Sequence, residues 1–349
     1  MKKLQFAVNT HNMMALKKPS ILLFLLFLLP ALLFGQDNAY LQKLMRTPFV
    51  SNLKAYQEHE AVLFSIYDNG KRNVCICYSP EFIIDKLTDF DKDDGQEITN
   101  IHLSADGRFV IFVMGGDHGS NSSPVPVNPG SSVKKQEIAI YSVEIASKRI
   151  IKLDNGDFPV VHPSQNRIVY IKSNQLWTTS VEDPMERKQL FEARGAIGSP
   201  VWSPDGNRIA FVSRRNTHSF VGIYEEGRNS IEWVSPSLHT DNTPRWSPDG
   251  SSLAFIRRRA TGGELDSLTA AKPVTWEIMK YDLGRGKATS LYSSPGTPRG
   301  SLPSVVGGTN LNWPLQDNIV FVSYKDGWPH LYKLDVNTKE VTQQTAGYK

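Results

Sequence analysis

The chain has 349 residues, of which 40% are hydrophobic, with 21 prolines and 25 glycines. This composition is that of a globular protein, and the length allows one large core or two smaller ones. The formal net charge of +4 belongs to the first 35 residues, which hold four lysines and no acid; the rest has 35 basic and 35 acidic residues. A neutral remainder argues against a nucleic-acid partner, because such binding needs a concentrated basic face.

Residues 1–35 have the layout of a secretory signal peptide. Basic Lys17 and Lys18 precede an apolar run, Ile21–Phe34, and the small residue Gly35 stands before a polar segment. The run has 14 residues, whereas a transmembrane helix needs about 20. We therefore expect cleavage after Gly35 and no stable membrane span.

Export to the periplasm or beyond follows from this leader, and an uncleaved N-terminal anchor is the alternative. A start at Met13 or Met14 would give a shorter basic region before the apolar run. The mature domain is predicted to cover residues 36–349.

Five later segments repeat one pattern, a turn followed by a short apolar strand. They are HLSADGRFVIFV, VHPSQNRIVYI, VWSPDGNRIAFV, RWSPDGSSLAFI and NWPLQDNIVFV. One anchor position recurs in them, occupied by Leu103, His162, Trp202, Trp246 and Trp313. The spacings of 59, 40, 44 and 67 residues include two that match a propeller blade of about 40 to 50 residues. Loop-rich segments at 115–136, 259–274 and 293–310 explain the two longer spacings.

The repeat is physically suited to a blade of a β-propeller. In Ser-Pro-Asp-Gly, proline presets φ, aspartate bonds back to nearby amides and glycine accepts a positive φ. The apolar strand that follows is continuous because sheets stacked on both sides bury both its faces. Further alternating strand pairs follow each repeat, so a four-stranded antiparallel blade is predicted about six times, AVLFSIYDNGKRNVCICYS belonging to the first. The mature chain is predicted to be all-β; a β-solenoid would need shorter periods of about 20 to 29 residues.

The WSPDG unit resembles the TolB-type propeller repeat over residues 98–345. Three segments, VMGGDHGSNSSPVPVNPGSS, SPSLHTDNTPRWSPDGSSLAFIRR and DGWPHLYKLDVNTKEVTQQT, resemble the N-terminal propeller of the prolyl oligopeptidase family of serine peptidases, in its dipeptidyl-peptidase and acylaminoacyl-peptidase branch. That resemblance implies a propeller of seven or eight blades followed by an α/β-hydrolase domain with a Ser, Asp and His triad.

The chain departs from that family at the catalytic centre. It contains no Gly-x-Ser-x-Gly elbow, and Ser120 and Ser301 lie in loop composition without a strand, turn and helix around them. We expect no catalytic residue and no cofactor here, and a propeller truncated at its C-terminus. The expected role is to gate or bind peptide substrates beside a hydrolase domain encoded downstream. The alternative is a stand-alone periplasmic propeller that recruits a protein partner.

Two residue pairs could suggest chemistry but fit turns better. Asp117 and His118 are adjacent in a glycine-rich loop, so they point in different directions and have no nucleophile nearby. Glu225 and Glu226 resemble the paired glutamates with which some dipeptidyl peptidases hold a substrate amine. They stand directly before a glycine where a hairpin turn is expected, and we predict solvated turn residues.

An acidic segment and two cysteines are also predicted to be structural. The four aspartates have the wrong spacing for a calcium loop, with glycine seventh and asparagine twelfth, so we expect an interblade loop and no metal; they are Asp89, Asp91, Asp93 and Asp94. Cys75 and Cys77 are two apart in a strand, so they share a face as core residues without a disulfide.

Repeated aromatic residues and an arginine run complete the candidates. Trp202, Trp246 and Trp313 are predicted to pack between blades rather than to stack on a sugar, because they share one register. The arginines at 257–259 follow an apolar strand, where we expect exposed charges that protect an edge.

Overall fold

The computed structural model describes residues 43–44, 47–115, 133, 136–260, 273–304 and 308–347. Within these ranges the strands form successive antiparallel sheets of four strands each, which we call blades 1 to 6. The strands of blades 1 to 3 are β1 (Phe49–Tyr56), β2 (Ala61–Asp68), β3 (Lys71–Tyr78), β4 (Asp85–Lys86), β5 (Ile98–Leu103), β6 (Phe109–Met114), β7 (Ala139–Glu144), β8 (Ile150–Asn155), β9 (Asp157–Val161), β10 (Arg167–Lys172), β11 (Gln175–Ser180) and β12 (Lys188–Gln189).

Blades 4 to 6 continue in the same way. Their strands are β13 (Ala196–Trp202), β14 (Arg208–Arg215), β15 (His218–Glu225), β16 (Glu232–Val234), β17 (Thr240–Trp246), β18 (Ser252–Arg258), β19 (Trp276–Asp282), β20 (Lys287–Ser293), β21 (Asn312–Leu315), β22 (Asn318–Ser323), β23 (His330–Asp335) and β24 (Val341–Gln343). Blades 4 and 5 are also joined by one parallel pairing, Ser219 with Thr240. The predicted repetition of a four-stranded blade is confirmed.

The first strand of each blade lies beside the first strand of the next, from β1 and β5 through to β17 and β21. These six inner strands therefore follow one another around a common axis. We call the end at which they begin the upper end and the end at which they finish the lower end. Because the strands of a blade alternate in direction, the turns between first and second strands lie at the lower end.

The lower turns have the predicted chemistry. Asp205 Oδ1 accepts a hydrogen bond from the backbone N–H of Asn207, and Asp249 Oδ1 accepts one from Ser251. The serine that opens each Ser-Pro-Asp-Gly turn donates its hydroxyl to the same aspartate. This double fixation explains why the motif is repeated, since it orders the turn before the apolar strand begins.

Each of the five junctions between neighbouring blades has its own apolar cluster, and a smaller sixth cluster lies within blade 1. Five consecutive buried residues occur in β6 (109–113) and in β14 (209–213), because a neighbouring blade covers each face. In β22 buried and half-buried residues alternate instead. Only one face of that strand is as well covered as in the middle blades.

The anchor tryptophans pack between blades, as predicted. Trp202 Nε1 donates to the carbonyl oxygen of Val160, and Trp246 Nε1 donates to that of Val201, so each indole is held by the preceding blade. An arginine of that blade also lies over each ring: Arg167 is 5.1 Å from the Trp202 centroid, and Arg208 has the same distance to Trp246. Each of these tryptophans therefore combines apolar burial with a cation–π interaction.

The arginine prediction is wrong for Arg257. Asp241 and Arg257 are cross-strand partners in β17 and β18. The guanidinium donates to both carboxylate oxygens of Asp241 at 2.8 Å and to the carbonyl oxygen of Ser235 at 2.7 Å, and both side chains are almost fully buried. Arg259 is exposed and pairs with Glu277. Burial of Arg257 is possible because the carboxylate of Asp241 and the carbonyl oxygen of Ser235 replace the water that the guanidinium loses.

Cys75 and Cys77 occupy one face of β3 as buried free thiols, as predicted. Burial raises the pKa of Cys75 to about 11, so its reactive thiolate form is scarce at neutral pH. Several predictions lie outside the described residues, namely the signal peptide, Asp117, His118 and Ser120.

Candidate functional site: the cleft between blades 1 and 2

A bulge interrupts the inner strand of each of blades 1 to 5 near its upper end. In β1 the pairing with β2 shifts between Ser51 and Lys54, and in β5 the pairing with β6 shifts between Thr99 and His102. At each bulge, or just before β21 in blade 6, one non-glycine residue has a left-handed φ of 44° to 57°; these residues are Asn52, Asn100, Phe158, Ser199, Thr243 and Asn310. The bulge turns side chains of the inner strands out of the regular alternation, which opens space between neighbouring blades.

The sequence reasoning missed these bulges. They stand three residues before the anchor in four blades and four before His162 in blade 3. Their residue types vary between Asn, Phe, Ser and Thr, and only asparagine favours a left-handed conformation. The sequence signal available for these bulges was the nearly constant number of residues between the left-handed residue and the anchor of the same blade.

An open cleft lies at the upper end, between blades 1 and 2. It has a volume of about 500 Å³, which is within the usual range for small-ligand sites. Its walls include Phe49, Asn52, Tyr67, Arg72, Glu97 and Thr99. Aromatic, cationic, anionic and amide groups are thus brought together by three strands and one interblade loop.

The floor of the cleft is a hydrogen-bonded polar layer that joins the two blades. Asn52 Nδ2 donates to Ser65 Oγ at 3.1 Å and to the carbonyl oxygen of Ile98, in blade 2, at 2.8 Å. The hydroxyls of Ser51 and Ser65 are 2.7 Å apart. Because these groups satisfy one another, the floor is fixed before any ligand arrives.

One wall is formed by a cross-strand pair, Tyr67 and Arg72. Their strands, β2 and β3, are joined by a tight turn in which Asn69 and Gly70 both have positive φ, the conformation that a two-residue hairpin requires. A side chain at Gly70 would also collide with Asp93. The turn places the Arg72 guanidinium 4.8 Å from the centroid of the Tyr67 ring.

Arg72 makes few bonds for a guanidinium. Its Nη1 is 3.4 Å from the carbonyl oxygen of Gly70 and 3.8 Å from Asp93 Oδ1, and the Asp93 side chain is 64% exposed. Neither contact has the short bidentate geometry of a strong arginine and carboxylate pair. Most of its N–H groups are therefore open to water or to a ligand in the cleft.

The residues that the sequence singled out lie elsewhere. Glu225 ends β15 and Glu226 begins the hairpin turn, at the lower end, as predicted. Glu226 is neutralised there by Arg167 at 2.9 Å and Lys188 at 3.1 Å, and the hydrogen bond from Arg167 is the main reason why its pKa is lowered. It therefore ties blade 4 to blade 3 instead of presenting a free carboxylate.

His162 lines a cavity at the lower end together with Glu225 and Glu226, and it has a structural role there. Its Nδ1 accepts hydrogen bonds from the N–H groups of Ser164 and Gln165, so the ring is in the tautomer that carries its proton on Nε2. That nitrogen then donates to the carbonyl oxygen of Gly206, and burial lowers the pKa of the ring. A neutral imidazole here substitutes for the serine of the Ser-Pro-Asp-Gly turn. The predicted anchor of blade 3 is therefore wrong by one residue, because Val161 pairs with Ile168 as Trp202 pairs with Ile209.

A second histidine, His102, is half-buried between the inner strands of blades 1 and 2. Lys54 Nζ is 3.3 Å from His102 Nε2, and burial lowers the pKa of both groups, that of His102 to about 3. Of the described side chains, no carboxylate lies within 4 Å of Lys54 Nζ. His102 is therefore neutral over the physiological range and is suited to accept a hydrogen bond from the ammonium group.

The other sequence candidates have structural contacts. The aspartates between residues 89 and 94 lie in the loop that joins blade 1 to blade 2, as predicted; Asp89 pairs with Lys86, and Asp94 accepts a hydrogen bond from the N–H of Gln96. Ser301 follows a short 3₁₀ turn (Pro298–Gly300), and its Oγ accepts from the N–H of Val274. In the part of the chain that the structure describes, no three His, Cys, Asp or Glu residues are grouped as a metal site.

Comparison with solved structures identifies the fold. The propeller domain of the Trilobed protease from Pyrococcus furiosus, described as having an open velcro topology, aligns with a TM-score of 0.52 and 11% identity over 85% of this chain and 84% of that one. The fold is a β-propeller. No protein-family model matches the sequence, and no curated protein matches it.

Two enzymes share this propeller fold at similar distance. Dipeptidyl peptidase 4 from Porphyromonas gingivalis aligns with a TM-score of 0.55 and 12% identity over 87% of this chain, and the match spans 48% of the peptidase. An oligogalacturonate lyase in complex with manganese aligns with a TM-score of 0.54 and 14% identity over 83% of this chain and 75% of the lyase. Over the described ranges, no helix is long and apolar enough to cross a membrane.

Proposed function

We propose that this chain is the propeller part of an exported serine peptidase of the prolyl oligopeptidase type and that it binds peptides rather than cleaves them. The observation that carries the proposal is the alignment with dipeptidyl peptidase 4, which takes in 87% of this chain but only 48% of the peptidase. The three sequence segments that resemble this family support the same assignment. The nucleophile would be supplied by a hydrolase domain outside these 349 residues.

The cleft between blades 1 and 2 supplies the means to bind a peptide. Its polar floor is fixed by the hydroxyls of Ser51 and Ser65, and its walls carry the aromatic rings of Phe49 and Tyr67. A concave site that combines apolar walls with a few fixed polar groups is the usual arrangement for a small organic ligand. Its volume suits a short peptide end rather than a folded protein.

A binding measurement with a matched pair of variants tests this role. We expect short peptides to bind the purified chain saturably in calorimetry, and Tyr67→Ala to weaken that binding at least tenfold through loss of the aromatic wall. Tyr78→Ala is the control, because Tyr78 is an exposed tyrosine at the lower end of the same hairpin. Absence of saturable binding, or equal weakening by the two variants, contradicts the proposal.

The expected catalytic partner is tested in the genome. Sequence that follows the codon of Lys349, or an adjacent gene, should encode a domain with a Gly-x-Ser-x-Gly elbow. Mixing that domain with this chain should confer a size limit on the peptides that are hydrolysed. If neither location encodes such a domain, the peptidase assignment is wrong.

A second candidate is a role in acting on acidic oligosaccharides, favoured by the alignment with the oligogalacturonate lyase. The same calorimetric measurement with digalacturonate in place of the peptide distinguishes the two candidate functions. Preferential binding of the saccharide would support this second function.

A further inference from the structure

We propose that the cleft between blades 1 and 2 recognises the free C-terminal carboxylate of a peptide, with Arg72 as the residue that binds it. This inference rests on the proposed peptide-binding function and adds which end of the peptide is read. It follows from the bonds that Arg72 does not make and from the distribution of charge around it.

The position of Arg72 is fixed although its N–H groups are open. The tight turn at Asn69 and Gly70 and the ring of Tyr67 hold the guanidinium in place, and its side chain is 25% exposed. Among the described residues its bonding partners are one carbonyl oxygen at 3.4 Å and one distant carboxylate, that of Asp93. An arginine held in one orientation loses little conformational freedom when a carboxylate binds to two of its N–H groups.

The charges around the cleft favour a ligand with a single negative end. Glu97 lines the cleft as well, and the Asp93 carboxylate is 3.8 Å from Arg72 Nη1, so Arg72 shares this region with two carboxylates. A polyanion such as an oligogalacturonate would meet repulsion from both carboxylates. A peptide carries one terminal carboxylate, and the neutral amide that precedes it is not repelled.

The apolar groups of the cleft favour a hydrophobic last residue. Phe49 is 62% exposed at the upper end of β1, and Ile66 and Ile98 also line the opening. A large exposed aromatic side chain beside an arginine can cover an apolar side chain while the carboxylate reaches the guanidinium. The ligand class is therefore a peptide that ends in an apolar residue with a free carboxylate.

The test compares one short peptide ending in leucine as the free acid and as the C-terminal amide. With the full chain in calorimetry, we expect amidation to weaken binding at least tenfold. Arg72→Met keeps much of the side-chain volume and should bind acid and amide with equal affinity. Lys71→Met is the matched control, because Lys71 is an exposed cation one residue earlier in β3, and it should retain the preference for the acid.

The outcomes separate this inference from the function on which it rests. Equal binding of acid and amide by the unaltered chain overturns the carboxylate inference and leaves peptide binding intact. A preference for the acid that persists in Arg72→Met assigns the carboxylate to another residue and also overturns it. If neither peptide binds but digalacturonate does and needs Arg72, the peptide function fails together with the inference about peptide ends.

Discussion

The indole N–H of Trp246, in blade 5, donates to the carbonyl oxygen of Val201, in blade 4, over 3.1 Å. The ring is 94% buried in the cluster that the two blades share. One side chain therefore contributes both apolar burial and a hydrogen bond to the junction. The same arrangement recurs one blade earlier, with Trp202 and Val160.

Replacement of Trp246 should reveal these two contributions separately. We expect Trp246→Ala to lower the free energy of unfolding by about 3 to 5 kcal/mol, the range for loss of a large buried aromatic side chain. Trp246→Phe keeps most of the apolar contact but leaves the Val201 carbonyl without its donor. We expect this variant to lower the free energy of unfolding by about 1 to 3 kcal/mol. Urea unfolding followed by circular dichroism measures both. An unchanged stability in Trp246→Phe would show that the hydrogen bond adds nothing, and equal losses in the two variants would show that the apolar contact adds nothing.

The buried pair of Asp241 and Arg257 should behave as a unit. Removal of the carboxylate in Asp241→Ala leaves a buried guanidinium without its partner, and we expect a loss of about 3 to 5 kcal/mol. The double variant Asp241→Ala/Arg257→Met should lose much less than the sum of the single variants, because no charge is then left unpaired. Additive losses in a double-mutant cycle would contradict the assignment.

An ion pair in which only the arginine is exposed, Arg259 with Glu277, gives the control for this cycle. Arg259 lies over Glu277, and its side chain is 58% exposed. We expect a coupling free energy below about 1 kcal/mol for this pair, because solvent screens it. A coupling as large as that of Asp241 and Arg257 would show that burial is not the cause of the difference.

The strained inner-strand bulges offer a route to a more stable protein. Thr243 has a φ of 53°, which is unfavourable for a β-branched residue. Thr243→Asn should raise the free energy of unfolding by about 0.5 to 1 kcal/mol, because asparagine tolerates this conformation better. The same substitution at Thr240, in the same strand but outside the bulge, should lower stability or leave it unchanged, and thermal unfolding compares the two.

His330 should make blade 6 sensitive to pH. Its Nε2 faces the carbonyl oxygen of Gly347 at 3.1 Å and its Nδ1 faces Asp326 Oδ2 at 2.5 Å, and these two acceptors raise the pKa of the ring, the carbonyl contributing most. Gln343 also contacts the Asp326 carboxylate. The native state thus favours the protonated ring, so the stabilisation is complete below the ordinary pKa of about 6.5. It is lost as the pH rises through the raised value.

An NMR titration of the imidazole signal tests the direction of this shift. The pKa of His330 should lie above its ordinary value and fall towards it in Asp326→Asn. The same variant should flatten the pH dependence of thermal unfolding above about pH 6.5. A titration of His330 at or below the ordinary value would contradict the bonding pattern.

The repeated motif was sufficient to predict the blades because the same residues determine turn and strand in each copy. The inner strand of blade 1 was missed because its turn is a 3₁₀ segment (Gln57–His59) closed by left-handed Glu60, without Ser-Pro-Asp-Gly. Arg257 was misjudged because its partner, Asp241, lies sixteen residues earlier and meets it only through the register of two strands. Charge runs in sequence do not show such pairings.

The cleft was not predicted either. Tyr67 and Arg72 are five residues apart, and the turn sequence Asp-Asn-Gly between them was the signal that they would face each other. The contribution of blade 2 to the cleft comes from Glu97 to Thr99, and no local pattern marks that segment. Packing of one blade on the next decides which of these side chains meet.

The alternation of burial in β22 has a consequence for the order in which the protein opens. A strand such as β14 is buried over five successive residues, so release of its amides requires separation from two neighbours. In β22 every second side chain is already half accessible, and separation from one neighbour is enough. Hydrogen exchange should therefore be fastest in blade 6 among the blades and proceed inward along the series, as in arrays held together by nearest-neighbour contacts.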